Sequence, residues 1–293
     1  MKRKDFIRSI AMLTVASNVV PISSWAKDMK EFSETGSTMP VLFVGHGSPM
    51  NAILDNDFTR AVKSFRKNLP APKAILMISA HWLTRGTFVQ ASPQPKMIYD
   101  MYGFPDELYQ ISYPAPGSPA LAREVQNSVK GTKVELDHEW GFDHGCWMVL
   151  KLMYPEAVIP VFQMSIDINK PATYHYQLAK ELSDLRKKGI LIIGSGNIVH
   201  NLGRVDFADI NAKPYDWALE FDSFVKTAID SRNDGTLLDY QKSGNAATLA
   251  VPTPDHYYPL IYILGLSEKN EKVTYPYEGI QHASVSMRCV KIG

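Results

Sequence analysis

Histidine is the side chain whose placement in this chain is most patterned. The 293 residues hold 8 of them, and three share one setting. His46 lies in Gly45-His46-Gly47-Ser48-Pro49, directly after the apolar run Val41-Leu42-Phe43-Val44. His81 follows Ala74-Ile75-Leu76-Met77-Ile78-Ser79-Ala80, and His200 follows Ile190-Leu191-Ile192-Ile193 across Gly194-Ser195-Gly196-Asn197. Such runs, rich in β-branched residues and ended by glycine or small polar residues, read as buried strands. A lone buried histidine usually just satisfies local hydrogen bonds. Three at the same end of three parallel strands are brought together by the sheet, and the carboxyl ends of such strands are where ligands bind in open α/β folds. Neutral imidazole is the commonest protein metal ligand. The pattern points to a metal site.

His144 stands in Trp140-Gly141-Phe142-Asp143-His144-Gly145-Cys146-Trp147, with an acid before it and a glycine after it. A histidine with a neighbouring carboxylate is the arrangement expected of a proton-transfer group. His256, in Pro252-Thr253-Pro254-Asp255-His256-Tyr257-Tyr258-Pro259, occupies a proline-bounded turn ahead of a helix. The remaining histidines read differently. His138 sits in a charged, surface-type stretch, His175 within a helix as a packing or surface residue, and His282 ahead of the last strand at the surface or a pocket rim.

The elements that must position these residues are those of one α/β domain over 40–293, with a central, mostly parallel sheet flanked by helices. Helices are expected over about 57–69, 119–130, 147–154, 171–187, 215–231 and 260–265, with further strands near 87–90, 133–136, 159–166 and 284–290. Ser118 and Pro119 form a helix start. Between Trp82 and Pro119 runs a long passage rich in aromatics and proline, including Tyr99, Tyr102, Phe104, Tyr109 and Tyr113. A passage of that length is usually functional, and its aromatics suit the wall of a pocket for a flat ligand. A net charge of +1 with 21% charged residues gives no electrostatic reason for a nucleic-acid or membrane partner. Cys146 and Cys289, the only cysteines, are expected as buried free thiols.

The first 26 residues read as an export signal: Lys2, Arg3, Lys4 and Arg8 precede the apolar stretch 10–20, and Ser24-Trp25-Ala26 offers a cleavage site. Arg3-Lys4-Asp5-Phe6-Ile7-Arg8 is similar to a twin-arginine signal with Lys4 in place of the second arginine. Residues 27–39 read as a polar linker. The expected location is periplasmic or exported, with the cytoplasm as the alternative.

Six ordered blocks carry a family resemblance: Gly45-His46-Gly47-Ser48-Pro49-Met50-Asn51, Ser79-Ala80-His81-Trp82, Tyr113-Pro114-Ala115-Pro116-Gly117, Trp140-Gly141-Phe142-Asp143-His144-Gly145, Gly196-Asn197-Ile198-Val199-His200-Asn201 and Pro252-Thr253-Pro254-Asp255-His256-Tyr257. Together they resemble the DOPA 4,5-dioxygenase family of class III extradiol ring-cleaving dioxygenases, related to the catalytic subunit of protocatechuate 4,5-dioxygenase. The resemblance implies one mononuclear divalent metal, Fe(II) or Zn(II), and a small catechol-type substrate together with O2. It places His46, His81 and His256 as metal ligands, His200 as a ligand or an acid/base group beside the metal, and His144 as an acid/base group. More distant members carry a Glu near the position of His256, and here Asp255 or Glu278 could supply a carboxylate to the metal or to the residues around it. A zinc hydrolase, or a non-catalytic metal-binding protein on the same scaffold, are the alternative readings.

Overall fold

The computed structural model of the protein describes residues 38–293; the stretches expected as an export signal and, up to residue 37, as a linker lie outside the described residues. The first half runs β1 (Val41–Gly45), α1 (Asp57–Phe65), β2 (Ala74–Ser79), β3 (Leu83–Thr84), β4 (Thr87–Gln90), α2 (Asp106–Tyr109), α3 (Pro119–Ser128), β5 (Val134–Asp137) and α4 (His144–Met153). It continues through β6 (Val161–Gln163), β7 (Ile166–Asp167), α5 (Ala172–Glu181), α6 (Asp184–Lys187) and β8 (Ile190–Gly196). The last part holds α7 (Asp216–Asp230), α8 (Asp234–Leu238), α9 (Asn245–Ala250), α10 (Tyr258–Leu266), β9 (Val273–Tyr277), β10 (Ile280–Gln281), β11 (Val285–Ser286) and β12 (Cys289–Ile292).

Six strands form the main sheet in the order β6-β2-β8-β1-β12-β9. The first four are parallel to one another; β12 runs antiparallel to both β1 and β9. The sheet is therefore mixed, with its parallel part holding β1, β2 and β8. Register aligns Gly45 with Gly196 and Ser79 with Ser195, so the histidines that follow these strands leave the sheet at one level.

Every residue of β1, β2 and β8 is buried. Successive side chains on a strand point to opposite faces, and this division is visible in the packing. Leu42, Val44, Ile75, Met77, Leu191 and Ile193 join a core with Phe58, Val62 and Phe65 of α1 and Trp147, Leu150 and Met153 of α4. The other face is covered by α10, whose Pro259 and Ile263 lie against Gly194. All nine residues of α10 are buried. A helix that is apolar all round must sit between layers, and this one packs between the sheet and α5.

Local signals place the helix ends. Asn56 Oδ1 accepts from the Thr59 N–H at 2.9 Å while Thr59 Oγ1 accepts from the Asn56 N–H at 3.0 Å, a reciprocal cap that starts α1. Ser118 caps α3 with Pro119 at its first position. The stretch expected as one strand over 159–166 is divided into β6 and β7, and that expected near 284–290 into β11 and β12. None of the described helices is long and apolar enough to cross a membrane.

Candidate metal centre

The end of β8 organises the site. The His46 N–H donates to Gly196 O at 3.1 Å, the Ala80 N–H to Ser195 O at 2.9 Å, and the Asn197 N–H to His256 O at 2.9 Å. Three consecutive residues, Ser195-Gly196-Asn197, thus fix the backbone at or next to His46, His81 and His256. Gly196 allows this: a Cβ there would lie 2.2 Å from His256 O. After His46 the chain turns through Gly47 at φ +62°, a left-handed conformation that glycine adopts without steric cost. Asn51 Nδ2 then donates back to His46 O at 3.3 Å.

The rings of His46, His81 and His256 face one another, with centroids separated by 5.1, 5.3 and 5.0 Å. One ligand atom from each lies within 4.8 Å of the others. Hydrogen bonds decide which nitrogen that is. Ser195 Oγ donates to Gly145 O at 2.7 Å and lies 3.0 Å from His46 Nδ1. Its one proton is committed, so His46 Nδ1–H must be the donor and His46 Nε2 carries the lone pair. His81 Nδ1 lies 3.2 Å from Asp100 Oδ2, and His256 Nδ1 pairs with Asp255 Oδ2. In all three rings Nδ1–H is used outward and Nε2 faces inward.

That geometry is unfavourable without a cation. His46 Nε2 and His81 Nε2 approach to 3.2 Å with no proton to share. His256 Nε2 is buried with no hydrogen-bond partner among the described residues, a costly state for a polar atom. Burial, followed by repulsion among the neighbouring histidines, pushes the pKa of His46 and of His81 well below the ordinary imidazole value. Both are neutral, the form that binds metal. Three inward imidazole nitrogens, each oriented by an outer hydrogen bond, fit a divalent transition metal.

His200 and His144 flank this trio. The His200 ring stacks flat on His256 at 3.5 Å and 7°, and the His200 main-chain N–H donates to Ala250 O at 2.9 Å. Burial pushes its pKa well down as well. His144 opens α4, its ring 3.8 Å from that of His81 and edge-on to His46 at 5.5 Å. His144 Nδ1 lies 3.0 Å from Asp100 Oδ2, and the His144 N–H donates to Asp100 Oδ1 at 2.8 Å.

The carboxylate beside His144 is therefore Asp100 and not its sequence neighbour. Asp143 caps α4 by accepting from the Cys146 N–H at 3.1 Å, and it also accepts from Ser79 Oγ at 2.6 Å. Burial pushes its carboxyl up to about 6. Asp255 serves as the outer partner of His256. Although burial opposes it, the hydrogen bond from His256 holds the Asp255 carboxyl well below the usual range. Glu278 pairs with Arg288 and belongs to none of the histidine groups able to hold a metal among the described residues. His175 is fully buried, with Nδ1 3.0 Å from Tyr262 Oη, a packing residue. Cys146 and Cys289 are buried free thiols.

The aromatic passage contributes differently from a ring-binding wall. Tyr113 is buried and donates to Tyr154 O at 3.1 Å, Tyr99 donates to Ile111 O at 2.7 Å, and Tyr102 is 93% exposed. What the passage sends to the site is Asp100. An acid between Tyr99 and Met101 in the aromatic stretch, and a serine between two glycines at a buried strand end, were the available signals for Asp100 and Ser195.

The fold and site thus define an α/β protein with a histidine cluster able to hold a metal ion at the carboxyl ends of its parallel strands. Residues 38–288 match the family model described as the catalytic LigB subunit of aromatic ring-opening dioxygenase. The chain belongs to this family, the extradiol ring-cleaving dioxygenases. It is 45% identical over 269 residues to 4,5-DOPA dioxygenase extradiol of Escherichia coli K12, covering 90% of this chain and 98% of that protein. To 4,5-DOPA dioxygenase extradiol of Beta vulgaris it is 40% identical over 236 residues, covering 78% and 87%. The crystal structure of an uncharacterized Escherichia coli K12 protein superposes with a TM-score of 0.77 at 44% identity, covering 87% of this chain and all of that one.

Proposed function

We propose that this protein cleaves the ring of a DOPA-like catechol next to its hydroxyls, using O2 and one Fe(II) held by His46, His81 and His256. The observation that carries the reading is the convergence of three Nε2 lone pairs, one of them buried without another partner. Iron held by these three imidazoles would supply a Lewis acid and a redox capacity that Zn(II) lacks. The family and the names of the similar proteins support the aromatic substrate.

The chain's own residues handle the protons. His144 donates Nδ1–H to Asp100, so its Nε2 is the lone pair available to take a proton from a catechol hydroxyl. His200 lies flat on His256 and groups with Asp255 and His256, not with His46 and His81. That supports an acid/base role beside the metal, delivering a proton as the ring opens. The burial of His46, His144 and His256 keeps bulk water away from the reacting atoms.

The test is oxygen uptake by Fe(II)-reconstituted protein given a panel of catechols that includes L-DOPA, beside His81→Ala. Uptake with a new yellow ring-opened product, absent in the variant, is the expected result. No uptake with any catechol at full metal loading would sink the reading. Three imidazole nitrogens also suit Zn(II) with a bound water, and activity that survives without oxygen would favour that hydrolytic chemistry.

A further inference from the structure

We propose that Asp100 is a positioning residue that joins metal loading to proton transfer, by orienting the metal ligand His81 and the acid/base group His144 through a single carboxylate. The proposal rests on the metal-centre reading above. Asp100 Oδ2 lies 3.2 Å from His81 Nδ1 and 3.0 Å from His144 Nδ1, and Oδ1 accepts the His144 N–H at 2.8 Å. An ionised carboxylate only accepts, with two lone pairs on each oxygen. One oxygen can therefore hold both rings in the tautomer whose Nε2 points away from Asp100. The two rings sit 3.8 Å apart, centroid to centroid, so a turn of one displaces the other.

The carboxylate is itself clamped. On the strand-like segment before it, the Ile98 N–H donates to Phe142 O at 2.8 Å and the Phe142 N–H to Lys96 O at 2.8 Å. Trp147 Nε1 donates to Ile98 O at 3.2 Å. The segment bearing Asp100 is thus tied to the chain on both sides of His144, and Asp100 is delivered to both rings by main-chain bonds. This makes Asp100 more than a local partner: carboxylates behind metal-bound histidines fix the ring and its donor nitrogen, and here the same carboxylate also sets a histidine outside the ligand trio.

An amide cannot substitute. In Asp100→Asn one oxygen accepts, but the NH2 confronts a donor, either an Nδ1–H or the His144 N–H. The experiment uses the full chain, with Co(II) as an optical probe of metal binding and catechol turnover by the Fe(II)-loaded enzyme. Asp100→Asn is expected to weaken Co(II) binding about 10–100-fold, to alter the Co(II) absorption bands, and to lower kcat with little change in KM. In a His144→Ala background, the same substitution should weaken Co(II) binding by the same factor but lower kcat no further. Unchanged Co(II) affinity, or an equal additional loss of kcat without His144, would overturn the proposal. Wild-type protein that fails to bind Co(II) at all would overturn the metal-centre reading beneath it. If the metal-free Asp100→Asn protein melts below the wild type, Asp100→Ser is put through the same two assays and the same outcomes decide.

Discussion

Ser195 Oγ lies 3.0 Å from His46 Nδ1 and donates its own hydrogen bond to Gly145 O at 2.7 Å. This one hydroxyl sets the tautomer of the first candidate ligand, because it leaves His46 Nδ1–H no role but donor. Ser195→Ala removes the acceptor and leaves the buried His46 Nδ1–H without a partner, at ~1–3 kcal/mol. The expected outcome is metal binding weaker by about 10–100-fold, read by competition with a chelator. Wild-type affinity in this variant would show that His46 is oriented by its backbone alone.

Gly196 carries the close approach between β8 and the His256 turn. Ala at this position would place a Cβ 2.2 Å from a main-chain oxygen, which cannot swing aside as a side chain can. The overpacking should cost about 1–3 kcal/mol of stability. It should also move His256 enough to lose metal affinity, since Asn197 N–H and His256 O are bonded across the same contact. Thermal melts with and without added metal separate the two effects, and a variant stabilised by metal as much as the wild type would contradict the second.

His200 stacks on His256 but groups apart from His46 and His81. His200→Ala is expected to keep its metal and lose turnover by ~10²–10⁴-fold. Loss of metal affinity comparable to that of His81→Ala would make His200 a ligand.

Asp143 couples stability to pH. Burial raises its carboxyl from 3.8 to about 6 in the folded protein, so the folded state holds a proton that the unfolded chain releases at lower pH. Its contribution is complete below about pH 4 and is lost as pH rises through about 6, to the extent of ~3 kcal/mol. Asp143→Asn keeps an acceptor for Cys146 N–H and Ser79 Oγ without the ionisation. Measured on metal-free protein, the melting temperature of the variant relative to wild type should climb between pH 4 and pH 7. A difference independent of pH would remove Asp143 as the cause.

The histidines could be read from the sequence because each is announced locally. His46, His81 and His200 follow runs whose composition demands a buried strand, and a parallel sheet then brings its strand ends together. The helices at 57–65 and 216–230 declared themselves by apolar spacing, and that at 119–128 by Ser118 and Pro119 at its start. Short pieces such as 234–238 and 245–250 span too little chain to show a period.

The partners of those histidines belong to the tertiary structure. Asp143 adjoins His144 in sequence, yet consecutive residues at a helix start do not face one another, and the cap turns the Asp143 side chain back over the helix end. The carboxylate that does reach His144 comes from 44 residues upstream. Ser195 meets His46 only because β8 lies beside β1 in register. Sequence alone placed His46, His81 and His200 after strands of one sheet, because strands and the breaks after them are local properties; that His256 and not His200 groups with His46 and His81 was decided by folding. Folding decided which nitrogen of each ring faces inward, because that depends on hydrogen-bond partners contributed by distant segments.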